Sequence, residues 1–268
     1  TIDSGATLVG LDNNTLTMNG NLTLANGSMT NIALGTPTGS ALFDVKGDLT
    51  LGGTLNVTED VGGFGAGVYR IFDYGGTLTD NGMTIGTVPQ NSDASGMWIQ
   101  TDYEHQVNLV NQNGVEVTFW NAEGDRSQNN QNSKIVGGSG TWDVSNDNWT
   151  EDDKGSQQGQ LFNGRWDNGS FAVFGGNAGT VTINNQNGTV TASGLNFATG
   201  GYVLTGDALM LDNGAPGTAP IIRVGDGKAD SNITATISAE LQGTGGLRKT
   251  DYGTLVLTGA NSYSGGTT

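Results

Sequence analysis

The 268-residue chain contains no cysteine. This absence excludes a small disulfide-stapled domain, thiolate metal sites and cysteine nucleophiles. An exported protein that avoids thiols altogether would show the same composition, so the missing cysteines leave the cellular location open. Proline is also scarce, with four residues, and no Ser/Pro-rich stretch separates two parts of the chain. We therefore expect one continuous unit over residues 1–268.

Basic residues are few as well. Ten Lys and Arg face 26 Asp and Glu, which gives a net charge of −16. Such a chain is repelled by phosphate backbones and by anionic lipid surfaces, so we expect no nucleic-acid partner and no direct membrane insertion. No run reaches the roughly 18 apolar residues of a membrane-spanning helix. No signal peptide is visible, and the sequence stops in mid-pattern at Thr268, so we expect a fragment of a longer chain.

Glycine is abundant instead, with 46 residues, about 17% against a usual value of roughly 7%. Short runs such as Thr180–Ile183 and Thr254–Leu257 alternate polar and apolar residues, which places all apolar side chains on one face of a strand. Asn-Gly pairs separate these runs and indicate tight turns. The pattern predicts an all-β protein.

One repetition narrows the fold. The segment 20–24 (GNLTL) recurs as 47–51 (GDLTL), 27 residues later. Periods of 20–50 residues are typical of solenoids, and stacked Thr and Asn suit a parallel β-helix. We therefore predict a parallel β-helix with extruded loops. Residues 121–169 are the least regular and are predicted to be loop-rich.

Few residues offer catalytic chemistry. His105, in a polar turn, is the only histidine that a Ser/His/Asp triad could use, and the sequence shows no nucleophile motif to accompany it. We predict no catalytic, cofactor-binding or metal-binding residues. Acids such as Asp143 and Asp147 could serve a polysaccharide-active enzyme or bind Ca²⁺. The alternative for these acids is Asx turns that bond their own backbone.

Four of the five tryptophans, together with several charged residues, concentrate between residues 120 and 166. We take part of this region as a candidate contact surface, because exposed aromatic side chains are good anchors. The candidate residues are Trp142, Trp149, Asp152, Asp153, Arg165 and Trp166. The alternative is an aromatic cluster that covers the core, which the neighbouring segment 171–174 (FAVF) favours.

The last 24 residues, 245–268, carry a specific resemblance. They follow the pattern G-x-L-x-K-x-G-x-G-T-L-x-L-x-G-x-N-x-Y-x-G-x-T and resemble the passenger-associated transport repeat of type Va bacterial autotransporters. The matching positions are Gly246, Lys249, Gly253, Thr254, Leu255, Leu257, Gly259, Asn261, Tyr263, Gly265 and Thr267. Asp251 and Tyr252 depart from the pattern, because small residues are commoner there.

The resemblance implies a right-handed β-helix that is exported by a type V pathway and displayed on, or released from, a Gram-negative cell. It also implies a β-barrel translocator on a C-terminal part of the protein outside this fragment. The expected function is non-enzymatic adhesion to host cells or to a matrix protein. The alternatives are self-association with another passenger copy, a released effector, or an enzyme that acts on polysaccharides.

Overall fold

A computed structural model describes the chain except for residues 13, 36, 38–40, 61–63, 113, 123–133, 151–162, 215–218 and 226–231. The chain divides into two compact units, residues 1–114 and 115–268, here called unit 1 and unit 2. No helix among the described residues has the length and hydropathy needed to cross a membrane.

Unit 1 contains twelve described strands and one 3-10 turn at Ala94–Gly96. The strands are β1 (Thr7–Leu11), β2 (Leu16–Met18), β3 (Leu22–Thr23), β4 (Met29–Leu34), β5 (Phe43–Val45), β6 (Leu49–Leu51), β7 (Thr54–Glu59), β8 (Gly67–Tyr74), β9 (Leu78–Asp80), β10 (Thr84–Ile85), β11 (Met97–Gln100) and β12 (Gln106–Asn111). They form three sheets with the orders β1-β4-β7-β10, β11-β12-β8-β5-β2 and β3-β6-β9.

Up to β10 the chain passes through the three sheets in the same order, one strand in each. Each strand therefore pairs in parallel with the strand three positions earlier in the chain. Leu22 pairs with Leu49, which is the 27-residue recurrence seen in the sequence. Because polar and apolar residues alternate, one face of each strand is buried. On β4 and β7 the buried side chains include Ile32, Leu34, Leu55 and Val57. The predicted repeat is therefore confirmed as a strand register.

Asparagine and aspartate join successive strands at the corner that precedes β3 and β6. Asn21 Oδ1 accepts a hydrogen bond from Asp48 N at 2.9 Å, and Asp48 Oδ1 accepts one from Thr77 N at 2.8 Å. Gly47 and Gly76 lie beside these side chains, and a Cβ added to either would come within 2.1 and 2.3 Å of the accepting oxygens. The glycines at this corner thus provide the space for the side-chain ladder.

The last two strands of unit 1 break the parallel pattern. Strand β12 pairs antiparallel with β8, with a register shift at Val107/Asn108, and β11 pairs antiparallel with β12. The unit's core is mainly aliphatic, with Phe43 stacked on Phe72 at a ring-centroid distance of 5.0 Å.

Unit 2 contains fifteen described strands. They are β13 (Val117–Trp120), β14 (Gly140–Trp142), β15 (Trp149–Thr150), β16 (Asn163–Gly164), β17 (Phe171–Phe174), β18 (Thr180–Ile183), β19 (Thr191–Ala192), β20 (Gly194–Phe197), β21 (Val203–Gly206), β22 (Leu209–Leu211), β23 (Ile221–Val224), β24 (Thr234–Ile237), β25 (Leu241–Gln242), β26 (Arg248–Thr250) and β27 (Thr254–Leu257). They form sheets with the orders β16-β15-β13-β17-β20-β23-β26, β14-β18-β21-β24-β27 and β19-β22-β25.

From β17 onward unit 2 repeats the scheme of unit 1. The chain visits its three sheets in rotation, and all of these pairings are parallel. Among the described strands of this unit, β15 and β16, which extend the first sheet beyond β13, are the ones that pair antiparallel. One cluster of buried apolar residues in the unit runs from Trp120 to Leu247.

The prediction of an all-β protein is confirmed, and the sheets consist mostly of parallel ladders. Within the segment predicted to be loop-rich, residues 121–169, the structure describes the short strands β14, β15 and β16. Residues 123–133 and 151–162 of that segment lie outside the described part, so the loop-rich character of residues 121–169 stays a prediction.

Candidate functional site

The three candidate tryptophans lie together inside unit 2. Strands β14 and β15 supply Trp142 and Trp149, and Trp166 follows β16. The ring centroids are 4.9 Å apart for Trp142 and Trp149, 4.9 Å for Trp142 and Trp166, and 4.5 Å for Trp149 and Trp166. Their exposed fractions are only 0%, 1% and 4%. The rings therefore take the core position that was the alternative interpretation, and they present almost no surface to a partner.

The indole N–H groups of this cluster are unevenly matched. Trp120 Nε1 donates to Gly138 O at 2.8 Å, and Trp166 Nε1 donates to Thr191 O at 2.9 Å. Within the described part of the chain, the indole nitrogens of Trp142 and Trp149 are buried without an acceptor. Because a buried donor without an acceptor costs about 1–3 kcal/mol, apolar burial and ring packing must stabilise the cluster.

Of the charged candidates, the structure describes Arg165. Arg165 Nε lies 3.8 Å from Asp147 Oδ1, with the two side chains 71% and 59% exposed, so this ion pair contributes little in water. Asp152 and Asp153 lie outside the described residues. Asp143 forms an Asx turn, because its Oδ1 accepts hydrogen bonds from Ser145 N at 2.8 Å and Asn146 N at 2.7 Å.

Metal binding and histidine chemistry are two further possibilities for the described residues. Among these residues, no group of three His, Cys, Asp or Glu is placed to hold a metal ion. His105 is exposed. Its Nδ1 atom lies 3.0 Å from the backbone oxygen of Tyr74, and its Nε2 atom lies 3.8 Å from Glu104 Oε1. His105 thus caps a corner of unit 1, at a positive φ of 63°.

A broad surface without charge lies on the outer side of the sheet β14-β18-β21-β24-β27. We call it the threonine face. Its outward residues alternate with buried ones such as Val181, Ile183 and Leu204, so their side chains point away from the core. The face consists of Thr141, Thr180, Thr182, Val203, Thr205, Thr234, Thr236, Thr254 and Val256.

Register aligns these side chains in rows across the strands. Thr141, Thr182 and Thr205 form one row, and Thr180 begins another that continues through Val203. Short side chains on a regular pleat give a flat surface, with hydroxyl groups at the strand spacing of about 4.8 Å. The sequence pattern identified these threonines as exposed strand positions, but no motif marked them as a site.

Unit 1 carries a comparable surface on the sheet β1-β4-β7-β10, here called the asparagine face. Its outward residues are Thr7, Val9, Leu11, Met29, Asn31, Ala33, Thr54, Asn56, Thr58 and Thr84. Asn56 Nδ2 donates to Asn31 Oδ1 at 2.9 Å, and the hydroxyl oxygens of Thr54 and Thr84 are 3.2 Å apart. Val9 and Leu11 are 58% and 55% exposed, so this face is more apolar at β1.

The glycines of the predicted transport repeat sit where strands of unit 2 meet closely. A Cβ on Gly253 would lie 2.6 Å from Ile233 O, and one on Gly259 would lie 2.4 Å from Ala239 O. Gly246 and Gly265 approach each other, with the added Cβ of Gly265 only 2.3 Å from Gly246 Cα. Larger residues at these positions would push adjacent backbones apart.

The remaining repeat residues join the last strands to the core. Leu255 and Leu257 of β27 pack against the cluster, whereas Thr254 faces outward. Asn261 Oδ1 accepts a hydrogen bond from Leu241 N at 2.9 Å. Tyr263 also packs on the cluster, and its hydroxyl lies 2.7 Å from the hydroxyl of Thr267.

Lys249 is the charged member of the repeat. Its ammonium group donates a hydrogen bond to the backbone oxygen of Asp251. Burial lowers the pKa of Lys249, and the negative charge of Asp251 partly opposes that shift.

Comparisons with known proteins agree with this reading of the C-terminal residues. Residues 247–268 match the family model described as the passenger-associated-transport-repeat. The chain is also 46% identical, over 260 residues and 94% of its length, to a protein named "Adhesin BmaC autotransporter" from Brucella suis biovar 1 (strain 1330). The chain is a stretch of autotransporter passenger sequence.

This passenger stretch spans 7% of the length of that relative. No solved structure matches it. The predicted resemblance is confirmed, and so is the predicted location at the surface of a Gram-negative cell, which is where autotransporter passengers are carried.

Proposed function

We propose that the parallel sheets are faces of a right-handed β-helix solenoid with extruded loops. Three features support the proposal. The chain passes through three sheets in rotation, the ladders are parallel, and glycines stand at corners where a Cβ atom would clash with the neighbouring strand. Right-handed crossovers between parallel strands are strongly preferred. A crystal structure with left-handed coils would contradict it. That the solenoid is continuous over residues 1–268 stays a prediction, since the two units are described separately.

On this scaffold we infer a non-enzymatic adhesin that binds a host cell surface or a matrix protein. The observation that carries the inference is the 46% identity to a protein named an adhesin. The threonine and asparagine faces support it physically. In a chain of net charge −16, the residues that form these faces are uncharged, although the exposed Glu59 ends β7 beside the asparagine face.

The faces also suit weak, repeated contact. Rows of hydroxyl and amide groups offer many equivalent donors and acceptors, and passengers displayed together on one cell would multiply weak contacts. The contact surface that we proposed around residues 142–166 would then rest on Arg165, Asp152 and Asp153, because the tryptophans are buried. The translocator barrel belongs, in this proposal, to a C-terminal part of the longer protein.

The purified 268-residue chain tests the proposal in a binding assay against a panel of matrix proteins and cultured host cells. We expect saturable binding to at least one member, reduced by soluble chain as competitor. Failure to bind any member would contradict the adhesin proposal. Turnover of a polysaccharide in the same panel would contradict the non-enzymatic role.

Self-association is the second candidate, and the uncharged faces favour it too. Two copies could approach through these faces without bringing their acidic residues together. Sedimentation at increasing concentration is the test: we expect dimers that dissociate on dilution. A strictly monomeric chain at the highest concentration would exclude this candidate.

A further inference from the structure

One ion pair of unit 2 is almost completely buried. Arg223 Nε lies 3.0 Å from Asp251 Oδ2, and the two side chains are 5% and 2% exposed. The other oxygen of Asp251, Oδ1, accepts a hydrogen bond from Tyr252 N at 2.6 Å. Arg223 belongs to β23, whereas Asp251 directly follows β26 in the transport repeat. The pair therefore joins the repeat to the preceding strand of the same sheet.

The local backbone is adapted to this pair. Asp251 has a positive φ of 68°, which residues other than glycine seldom adopt, although Asp and Asn tolerate it better than most. Gly225 leaves room for the carboxylate, because a Cβ there would lie 2.5 Å from Asp251 Cγ. Small residues are commoner at position 251 in the repeat pattern, so this chain departs from the pattern at the residue that carries the buried charge.

The hydrophobic pattern of the neighbouring ladder does not by itself fix the register. Strand β27 pairs with β24 so that Thr234 faces Thr254 and Ala235 faces Leu255. A shift by two residues would place Thr236 opposite Thr254 and Ile237 opposite Leu255. Both arrangements keep threonine outside and aliphatic residues inside, so hydrophobic patterning barely distinguishes them.

The sheet that contains the ion pair does distinguish them. In the observed register Arg223 faces Thr250, and Arg248 faces Ile221. The same two-residue shift would place Arg248 opposite Arg223, and like charges directly opposite each other are destabilising.

We propose that the Arg223–Asp251 pair sets the register in which the transport repeat docks on the preceding strands. Replacing a buried ion pair by neutral side chains often changes stability little, whereas buried polar groups can select one arrangement among several. The pair thus acts on register, and its removal should allow the two-residue shift without unfolding unit 2.

Engineered disulfides can read the register directly, since the chain has no cysteine of its own. The pair Thr234→Cys with Thr254→Cys bridges adjacent positions of the observed register. The pair Thr236→Cys with Thr254→Cys bridges the shifted one, because in the observed register those Cα atoms are separated diagonally by about 8 Å, beyond disulfide reach. In the parent background we expect the first disulfide and only traces of the second.

The variant Arg223→Met with Asp251→Asn removes both charges, and asparagine tolerates the positive φ. We expect the shifted disulfide to increase at least about tenfold in it. The matched control, Arg165→Met with Asp147→Asn, removes an exposed ion pair and should leave the disulfide yields unchanged. If the double variant does not fold, Arg223→Gln with Asp251→Asn also removes both charges, keeps a neutral hydrogen-bonding pair and provides the same reading. Unchanged yields in a folded variant, or a shifted disulfide in the parent, would overturn the proposal.

Discussion

The two units build the same arrangement of rotating parallel strands from different chemistry. Unit 1 relies on aliphatic side chains inside and on a side-chain ladder at its corner, where Asn21, Asp48 and Thr77 are linked across three successive strands. Unit 2 adds four tryptophans, two phenylalanines and one tyrosine to a core cluster whose other buried members are aliphatic. The two units therefore share the parallel strand arrangement rather than one type of core.

Both units also combine parallel ladders with a short antiparallel addition. In unit 1, β12 and β11 extend the sheet beyond β8, and in unit 2, β16 and β15 extend it beyond β13. In each unit the antiparallel strands therefore stand at the end of a sheet where the parallel rotation stops, and β11 and β16 become the sheet edges.

The largest expected effect comes from the aromatic core. Trp149→Ala should destabilise unit 2 by about 3–5 kcal/mol, because it leaves a cavity between Trp142, Trp166 and Phe174. Urea unfolding followed by tryptophan fluorescence measures it. Phe43→Ala is the counterpart in unit 1. If either variant shifts the unfolding of both units equally, the units are not separate cooperative structures.

A smaller effect is expected at the corner of unit 1. Gly47→Ala should cost about 1–3 kcal/mol, because the new Cβ would lie 2.1 Å from Asn21 Oδ1. Gly20 occupies the equivalent place one strand earlier and has no atom within 4 Å of an added Cβ, so Gly20→Ala serves as the matched control. Thermal unfolding compares them, and equal losses would show that the ladder does not depend on this space.

The smallest effect separates the units at alkaline pH. Burial is the main cause that raises the pKa of Tyr74 in unit 1, so its stabilising contribution is present below about pH 10 and is lost as the pH rises through the folded-state pKa. Burial lowers the pKa of Lys249 in unit 2, so the corresponding contribution is present above about pH 10.5 and is lost as the pH falls through the folded-state pKa.

As the pH rises from the lowered pKa of Lys249, below 10.5, to the raised pKa of Tyr74, above 10.0, we therefore expect unit 1 to lose stability relative to unit 2. Urea midpoints at several pH values measure the difference. Tyr74→Phe should abolish the decline of unit 1, and Lys249→Met should abolish the gain of unit 2. Parallel pH profiles in the two units would contradict the assignment.

Much of the fold follows from sequence patterns, for clear reasons. Period-two alternation in Thr180–Ile183 specifies which side chains are buried, and the recurrence of residues 20–24 at 47–51 specifies which strands pair. The antiparallel strands β11 and β15 carry no such signal, because a short run such as Trp149–Thr150 has no periodicity to read. The burial of Trp149 depends on contacts with residues distant in the sequence.

The candidate site was predicted less well. Clustered tryptophans can equally form a surface or a core, and only the three-dimensional arrangement decides between them. The threonine face was visible as exposed positions, but a surface defined by the absence of charge has no motif. The role of Asp251 was also hidden, because its partner Arg223 lies 28 residues earlier in the chain.

The most direct test of the account compares binding by variants that place charge on the uncharged faces. Thr182→Glu with Thr205→Glu charges the threonine face, Asn31→Glu with Asn56→Glu charges the asparagine face, and Gln186→Glu adds charge in an exposed turn outside both. Against the panel member that the parent chain binds, we predict at least about tenfold weaker binding for a face variant and unchanged binding for the turn variant. Parent-like binding by both folded face variants would contradict the claim that these faces contact the partner.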